Sequence, residues 1–321
     1  MIFCNNLICD MEYSEHNPNY FCDRYSSKPH NGLEVKMVNA DKDYYCLEAG
    51  SPEETLFIPL FVKAEEFVGK APIVKDQKAF EIARSIGTHP KRFDGGSIAG
   101  VGILTRTQLF DKAVTKFIKS NPEGVIINLG VGLDTRVSRF DNGRLRWYEV
   151  DLPDVIKLRR MFFTENERIR FIPESVSDLR WAEKTGVART DRVLILAEGL
   201  LMYLREEQVK GIFEYICDCF PGADLYFDVI HSYFAGKAIT SPFVWGIDRA
   251  EEITGLHPGI KLVENWSIGD FNKKRQSLFL RIMNILPSTR NRSRIIHAVA
   301  DISDMAADRS ANQDIGNSEW I

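Results

Sequence analysis

Apolar and polar residues follow two alternating patterns after about residue 50. Short apolar runs, typical of strands buried on both faces, alternate with longer segments in which apolar residues recur at helical spacing. There is no internal sequence repeat, and right-handed crossovers between such units produce a doubly wound sheet. The predicted strands cover residues 125–129, 145–151, 168–173, 191–204 with the exit loop, and 223–230.

The helical segments are predicted between and before these strands. Pro153 suits the first turn of one of them, and we expect Pro59 to interrupt or kink the first helix. Regularity fades after His231, resumes at 260–268, and predicts an antiparallel final strand near 295–300. The predicted helices cover 55–66, 76–86, 104–118, 153–162 and 206–220.

The most informative stretch is the predicted first strand with the turn that follows it. Gly130 and Gly132 let the backbone approach a ligand closely. A dinucleotide-binding turn would have a third glycine where this chain has Thr135, which weakens a pyrophosphate interpretation. Asp151 ends the second strand, 21 positions after Gly130, where it can accept hydrogen bonds from ribose hydroxyls. The sequence therefore predicts a nucleoside-binding turn.

Composition limits the classes of partner. Of the 321 residues 44% are hydrophobic, enough for a full core, and the formal net charge is −4. This net charge does not indicate the basic surface that binding to nucleic-acid phosphates requires. The local basic clusters at 273–275 and 290–294 are interpreted as solvated surface. No run of about 18 apolar residues is present, so we expect no membrane partner and a cytoplasmic protein.

Cysteine, histidine and serine patterns argue against metal and covalent chemistry. The six cysteines have no CxxC spacing and are predicted to be free thiols in a reducing cytosol. The six histidines are scattered, so we expect no catalytic metal. The chain has no Gly-x-Ser-x-Gly elbow for covalent hydrolysis, which leaves group transfer as the favoured class of reaction.

Several ordered motifs resemble the leucine carboxyl methyltransferase family, within it the bacterial branch of tetracenomycin-type polyketide O-methyltransferases. The similarity runs from about residue 52 to 301, although Val131 replaces a cysteine common in the family and residues 1–50 have no recognised counterpart. The motifs are Glu54-Thr55-Leu56 with Ile58-Pro59-Leu60, Arg106-Thr107 with Asp111, the stretch 128–136, Glu149-Val150-Asp151-Leu152-Pro153, and Ala197-Glu198-Gly199 with Met202-Tyr203.

The resemblance implies a class I, Rossmann-like fold that uses S-adenosylmethionine. It predicts a methyltransferase domain over 51–301, with N-terminal helices and an inserted cap, between a polar extension at 1–50 and a polar tail at 302–321. It implies that Gly130 passes under the cofactor, that Asp151 binds the ribose and that Arg106 pairs with the cofactor carboxylate. It also implies that Asp178 and Leu179 flank the adenine and that Glu198 lies beside the sulfonium and amine. Its remaining cofactor-binding candidates are Lys63, Gly132 and Asp134.

Some of these residues also have purely structural interpretations. Asp134 is equally suited to capping the next helix, and Asp151 to serving as an N-cap before Pro153. For Arg136, a bridge to a surface acid is the favoured interpretation, and for Glu149, a solvent-facing strand position. For Tyr203, packing in the core and lining an acceptor pocket are nearly equal interpretations.

The predicted reaction is O-methyl transfer to a carboxylate or phenol of a small, polyketide-like molecule. Glu198 and Tyr203 are the candidate catalytic residues, with Trp245 and Phe243 as candidate pocket walls. No residue is marked as a general base, and His231 and Tyr203 are candidates only by position, which favours an acidic acceptor. The alternatives are methylation of a protein or peptide C-terminal carboxylate and a non-catalytic S-adenosylmethionine-binding sensor; the oligomeric state is not predicted.

Overall fold

The computed structural model describes residues 54–86, 98–236 and 243–301. The extension predicted at 1–50 and the tail predicted at 302–321 lie outside the described residues, as do Cys4, Cys9, Cys22 and Cys46. The two described cysteines, Cys217 and Cys219, are free thiols.

The described residues form one sheet of seven strands in the order β3-β2-β1-β4-β5-β7-β6. β1 to β5 are parallel, and β7 runs antiparallel to both β5 and β6. This confirms the predicted doubly wound, mostly parallel sheet with an antiparallel final strand. The strands are β1 (Val125–Leu129), β2 (Arg146–Asp151), β3 (Ile169–Pro173), β4 (Val193–Ala197), β5 (Asp224–Ile230), β6 (Ile260–Ser267) and β7 (Ser293–Ala300).

Helices cover both faces of the sheet, as the unbroken apolar runs predict. Along β1, Val125, Ile127 and Leu129 point to one core, whereas Ile126 points to the other. The first core contains the apolar face of α6, and the second contains residues of α1, α2, α3 and α5. The helices are α1 (Glu54–Phe67), α2 (Gln77–Ile86), α3 (Ile98–Ser120), α4 (Arg136–Phe140), α5 (Pro153–Arg159), α6 (Glu206–Cys219), α7 (Leu278–Met283) and α8 (Pro287–Arg290).

Two helix predictions need correction. α1 continues through Pro59 without the expected interruption. α5 ends at Arg159, before the predicted apolar positions Met161 and Phe162, which follow in turns. Within the described part of the predicted cap, the ordered pieces are short 3-10 turns at Ser232–Phe234 and Ala250–Gly255.

The parallel strands end at one common edge, which we call the carboxyl edge. In open α/β sheets, ligands bind at this edge. The turn after β1, the last residue of β2 and the loop after β4 all lie there, so the fold brings together residues that are far apart in sequence. Within the described residues, no helix has the length and apolar character needed to cross a bilayer.

Candidate functional site

The turn after β1 has the backbone geometry that only glycine adopts readily. Gly130 and Gly132 have φ angles of +62° and +51°, in the left-handed region. A Cβ at Gly130 would lie 2.8 Å from Leu200 Cδ1, in the loop after β4. The two glycines therefore permit both the turn and a close approach to the backbone from the carboxyl edge.

A buried ion pair supports this turn from beneath. Arg159 of α5 and Glu149 of β2 are almost completely buried, and Arg159 Nε and Nη2 each donate a 2.7 Å hydrogen bond to the Glu149 carboxylate. Arg159 Nη1 donates to the carbonyl oxygens of Gly132 at 3.0 Å and Asp134 at 2.7 Å. The expectation that Glu149 faces solvent is wrong, because this arginine provides the opposite charge that allows the carboxylate to be buried.

Asp151, the last residue of β2, lies against the same turn. The backbone N–H of Gly132 donates to Asp151 Oδ2 at 2.7 Å, and that of Leu152 donates to Oδ1 at 2.8 Å. Leu152 is the N-cap of α5, so Asp151 does not have the N-cap role considered from the sequence. Burial raises the pKa of Asp151, although the two backbone donors oppose that change. A carboxylate has further lone pairs, which remain able to accept hydroxyl donors.

Arg106 of α3 joins two carboxylates, one in the loop after β4 and one in β5. Its Nε donates to Glu198 Oε1 at 2.9 Å, and its Nη1 donates to Asp228 Oδ2 at 3.0 Å. Asp228, buried in β5, also accepts the N–H of Gly199 at 2.5 Å. Arg106 Nη2 makes no hydrogen bond with the residues that the structure describes, so one corner of the guanidinium can still donate to an anion.

Arg136, at the start of α4, is buried inside this cluster. Its Nη1 lies 2.5 Å from Asp134 Oδ2 and 2.6 Å from Glu198 Oε2. Its Nε donates to Asp111 Oδ1 at 2.9 Å. The favoured sequence interpretation, a bridge to a surface acid, is therefore wrong in its location, because α3 covers the guanidinium and Arg136 is only 2% exposed.

Lys63 of α1 connects to the cluster through Asp76. Its Nζ lies 3.6 Å from Asp76 Oδ2, and Arg139 Nε lies 3.5 Å from the same oxygen. Arg139 also pairs with Asp111, which completes what we call the edge network. Four cations and five carboxylates leave one negative charge in excess when all are ionised. The members are Lys63, Arg106, Arg136, Arg139, Asp76, Asp111, Asp134, Glu198 and Asp228.

The cations act differently on the buried carboxyl groups. Burial favours the neutral acids, but Arg136, Lys63 and Arg139 outweigh it at Asp134 and hold the pKa of that carboxyl well below its usual value. The pKa of Glu198 is lowered in the same way, with burial opposed mainly by Arg136 and Arg106. Burial dominates at Asp228 and raises its pKa. Asp134 and Glu198 are therefore held as charged groups at the carboxyl edge.

Asp134 has the capping role that the sequence left open, and its role at the cofactor stays a prediction. Its Oδ1 accepts the backbone N–H of Arg136 at 2.8 Å, in the first turn of α4, as a capping side chain would. Its Oδ2 accepts a hydrogen bond from Asn128 Nδ2 at 3.1 Å and pairs with the Arg136 guanidinium. The carboxylate thus fixes the end of β1 relative to the start of α4.

The predicted adenine-contact residues lie apart from the edge network. Asp178 is exposed in the 3-10 turn that follows β3, and its carboxylate pairs with Arg180 at 2.6 and 2.8 Å. Leu179 follows it with a φ of +59° and is partly buried against the core. Both residues are on the carboxyl side of β3, beyond Asp151 of the neighbouring strand.

Aromatic side chains lie near the loop after β4. Tyr203 is 38% exposed, and its ring centroid lies 5.3 Å from that of Phe243. The exposure favours the pocket-lining interpretation of Tyr203 over core packing. Trp245 is buried in the core, so the expectation that it forms a pocket wall is wrong and Phe243 is the remaining candidate. His231 Nδ1 lies 3.1 Å from Asp248 Oδ1, which ties that ring to the cap segment.

Sequence reasoning missed several members of the edge network. Asp228 had a usable signal, because it lies near the carboxyl end of a predicted strand in which the only other charged residue is Asp224, at the opposite end. Asp76 was seen only as the start of a helix, where its Oδ1 does accept the N–H of Ala79 at 2.9 Å. Arg139 carries no signal at all, since a lone arginine on a short helix is usually solvated.

The site is suited to an organic cation and shows no metal-binding arrangement. No group of three or more His, Cys, Asp or Glu side chains that could hold a metal ion occurs among the described residues. The glycine turn carries no side chain at Gly130 or Gly132, and Asp151 can accept further hydrogen bonds. With all of its groups ionised, the edge network has excess negative charge beside one open guanidinium corner. These features fit the ribose, amine, sulfonium and carboxylate of S-adenosylmethionine.

Two individual proteins whose sequences are similar to this chain are both methyltransferases. The chain is 29% identical over 226 residues to the tetracenomycin polyketide synthesis O-methyltransferase TcmP of Streptomyces glaucescens, covering 68% of this chain and 83% of the relative. It is 29% identical over 244 residues to the S-adenosyl-L-methionine-dependent methyltransferase dpfgK of Gibberella zeae, covering 66% of this chain and 80% of that relative.

A solved structure and a family model complete the comparison. The N-methyltransferase NodS from Bradyrhizobium japonicum, in complex with S-adenosyl-L-homocysteine, aligns with a TM-score of 0.43 and 12% identity over 70% of this chain and 99% of that chain. The sequence model described as leucine carboxyl methyltransferase matches residues 57–217, the part of the chain from α1 to α6 that carries the glycine turn and most of the edge network. The chain therefore belongs to the leucine carboxyl methyltransferase family and is an S-adenosylmethionine-dependent methyltransferase.

Proposed function

We propose that the protein is an O-methyltransferase whose acceptor is a carboxylate or an acidic phenol of a small, largely apolar molecule. The observation that carries this proposal is the partly exposed pair Tyr203 and Phe243, with Tyr203 in the segment after β4 that also contains Glu198, together with the similarity to a polyketide O-methyltransferase. Aromatic walls favour a planar or apolar acceptor.

In this proposal the cofactor lies along the carboxyl edge. Gly130 and Gly132 pass beneath it, Asp151 accepts the ribose hydroxyls, and Asp178 and Leu179 flank the adenine. Arg106 binds the cofactor carboxylate through the free Nη2, while Glu198 and Asp228 hold the rest of its guanidinium. Lys63 acts from further away, through Asp76 and the charges of Asp134 and Glu198.

Charge complementarity supports the same placement. Bound S-adenosylmethionine supplies a methyl group on a sulfonium, and its amine, sulfonium and carboxylate together carry one positive charge. The edge network has one negative charge in excess, and Glu198 is its carboxylate in the loop after β4. Glu198 therefore stabilises the cationic cofactor, and the charge that it complements disappears when the sulfonium loses its methyl group.

The chain's contribution to the transfer is to align the acceptor and exclude water from it. Tyr203 and Phe243 hold the acceptor's apolar body, so that its oxygen lies over the carboxyl edge. An oxygen that is already ionised needs no general base. His231 Nδ1 accepts the backbone N–H of Tyr233 and lies 3.1 Å from Asp248 Oδ1, and with an ionised acceptor the proposal assigns this ring no proton-transfer role.

The test is methyl transfer to a mixed panel of acceptors. The intact protein would be given methyl-labelled S-adenosylmethionine with aromatic carboxylic acids, acidic phenols, and a peptide ending in a free leucine carboxylate. Label on a small acid or phenol is the expected result. Label on the peptide alone would favour a protein carboxyl methyltransferase, and cofactor binding without any transfer would favour a sensor.

Two variants of Tyr203 test its part in the acceptor site. Tyr203→Ala should raise the KM for the acceptor roughly tenfold, because a ring contact worth about 0.5–1.5 kcal/mol beyond its buried area is lost. Tyr203→Phe keeps the ring and should behave like the intact protein. Equal loss in both variants would instead assign the role to the hydroxyl group, and unchanged acceptor KM in both would remove Tyr203 from the site.

A further inference from the structure

The surface between β6 and β7 exposes an unusual number of large apolar side chains. Five of them lie within nine residues and are 54–77% exposed. Soluble monomers rarely show contiguous apolar patches beyond a few hundred Å², and larger ones mark interaction sites. The five side chains belong to Leu278, Phe279, Ile282, Ile285 and Leu286.

These side chains share one side of α7 and the turns that follow it. Leu278, Ile282 and Ile285 are spaced by four and three residues, which places them on one helix face. The chain continues to coil after α7, since Ile285 N–H donates to Ile282 O at 3.1 Å. Leu280 is buried on the opposite side and attaches the segment to the protein. We call the exposed side the α7 face.

The α7 face is bordered by basic residues and lacks acidic ones. Residues 271–294 contain seven arginines and lysines and no aspartate or glutamate. Arg275 and Arg290 are paired with Glu66 and Asp270, whereas Lys273, Lys274 and Arg281 are exposed, and no ion pair holds any of these three within the described residues. Three exposed cations without an ion-pair partner among the described residues therefore lie in the same segment of chain as the apolar side chains.

The segment has a fixed position relative to the cofactor site. Ile230, the last residue of β5, pairs with Ser293 at the start of β7, so the connection from β6 to β7 lies at the carboxyl edge. Asn272 Nδ2 donates to Thr105 Oγ1 at 2.9 Å, one residue before Arg106 on α3. Arg275 pairs with Glu66 of α1 at 2.8 Å. The α7 face is thus anchored on the two helices that carry Lys63 and Arg106.

We propose that the α7 face attaches the protein to the surface of an anionic lipid membrane. Exposed aliphatic and aromatic side chains beside lysine and arginine are the combination that inserts at the headgroup boundary of a bilayer. The cations disfavour a second copy as the occupant, because two such faces would bring like charges together. Anionic headgroups supply the opposite charge, and each basic residue near the surface adds to the attraction.

Attachment of this kind needs no membrane-spanning helix, and it revises the expectation of no membrane partner. It orients the carboxyl edge toward the lipid, where an apolar methyl acceptor would be concentrated. The attachment itself does not depend on which acceptor is methylated.

Vesicle flotation of the intact chain tests the proposal. The protein should float with phosphatidylcholine vesicles that contain phosphatidylglycerol, and several-fold less with phosphatidylcholine alone. Phe279→Ser combined with Ile285→Ser should reduce binding roughly tenfold or more, because two apolar side chains no longer enter the lipid. Lys273→Glu combined with Lys274→Glu should reduce it by a similar factor on anionic vesicles only.

The matched controls use similar residues elsewhere on the surface. Val263→Ser removes an exposed apolar side chain from β6, and Lys210→Glu reverses an exposed charge on α6. Both should bind vesicles like the unmodified chain, with thermal denaturation confirming that every variant is folded. Absence of flotation on anionic vesicles, or equal flotation of all variants, would overturn the proposal. So would a dimer that Phe279→Ser dissociates while no variant binds lipid.

Discussion

Single residues at the carboxyl edge set how closely other groups can approach. Gly199 follows Glu198 and has a φ of +69°, and a Cβ at this position would lie 3.2 Å from Arg106 Nη1 and 3.3 Å from Nη2. The glycine therefore allows the loop after β4 to pack directly against the guanidinium that we assign to the cofactor carboxylate. Backbone conformation and charge placement are coupled at this one residue.

Gly199→Ala should weaken S-adenosylmethionine binding about tenfold or more. The new methyl group displaces the Arg106 guanidinium, and a hydrogen bond to a charged group contributes about 1.5–3 kcal/mol. Gly143→Ala is the matched control, because Gly143 has a φ of +78° with open space around its Cβ position. Both variants should lose about 1–2 kcal/mol of unfolding free energy from the left-handed backbone. Equal cofactor affinity in the two, measured by calorimetry, would contradict this account.

Asp134 provides a test of the electrostatics at the same scale. Its pKa is lowered in the folded protein, so its ionised form stabilises the fold above the ordinary aspartate pKa of about 4. That contribution is lost as the pH falls toward the lowered value. The free-energy difference between the unmodified chain and Asp134→Asn should be about 2 kcal/mol at neutral pH. It should shrink steadily from about pH 5 to about pH 3.

Urea unfolding followed by tryptophan fluorescence gives this difference at each pH. Asp154→Asn, an exposed aspartate in the first turn of α5, is the control and should show little difference at any pH. A difference for Asp134→Asn that is constant with pH would show that the carboxylate acts through its hydrogen bonds alone rather than through its charge.

At the scale of elements, the Arg159 and Glu149 pair joins α5 and β2 to the glycine turn. Two of the arginine's contacts are carbonyl oxygens of the turn itself, at Gly132 and Asp134. The contribution of this pair to stability can be measured separately from its positioning of the glycine turn. A buried ion pair can be replaced by apolar residues of similar size without loss of stability. The hydrogen bonds from Arg159 to the carbonyl oxygens of the turn cannot be replaced in this way, because an apolar side chain has no donor.

Arg159→Met should lower the unfolding free energy by about 3–5 kcal/mol, because it leaves the Glu149 carboxylate buried without a partner. Adding Glu149→Leu should restore most of that stability. Affinity for S-adenosylmethionine should stay low in the double variant, since the carbonyl oxygens of the turn remain unsupported. Recovery of both properties together, in urea unfolding and calorimetric titration, would show that the pair is only structural.

Element positions were predictable from sequence where one pattern dominated. The run Val125 to Leu129 is aliphatic except for Asn128, and it forms a strand with every residue buried. The end of α5 was not predictable, because Met161 and Phe162 continue the helical spacing although the backbone leaves the helix after Arg159. Glu149 shows the same limit, since its burial depends on an arginine ten positions away that folds back beneath it.

At the scale of the molecule, the topology assembles the site from distant parts of the chain. Arg106 meets Glu198 across 92 positions and Asp228 across 122. Parallel strand order predicts that the residues at strand ends share one edge, and Asp151 and Glu198 were identifiable for that reason. It does not predict which cations reach that edge, because Arg136 and Arg139 are placed by the packing of α4 against α3. The doubly wound fold and the position of Asp151 at the carboxyl edge were therefore accessible from sequence, and the edge network was not.

Calorimetric titration with S-adenosylmethionine is the most direct test of this assembled site. The intact protein should bind the cofactor, and Asp151→Ala and Arg106→Ala should each reduce the affinity about tenfold or more, while Asp154→Ala at the surface of α5 leaves it unchanged. No binding by the intact protein, or affinities in Asp151→Ala and Arg106→Ala equal to that of the control, would contradict the placement of the cofactor along the carboxyl edge.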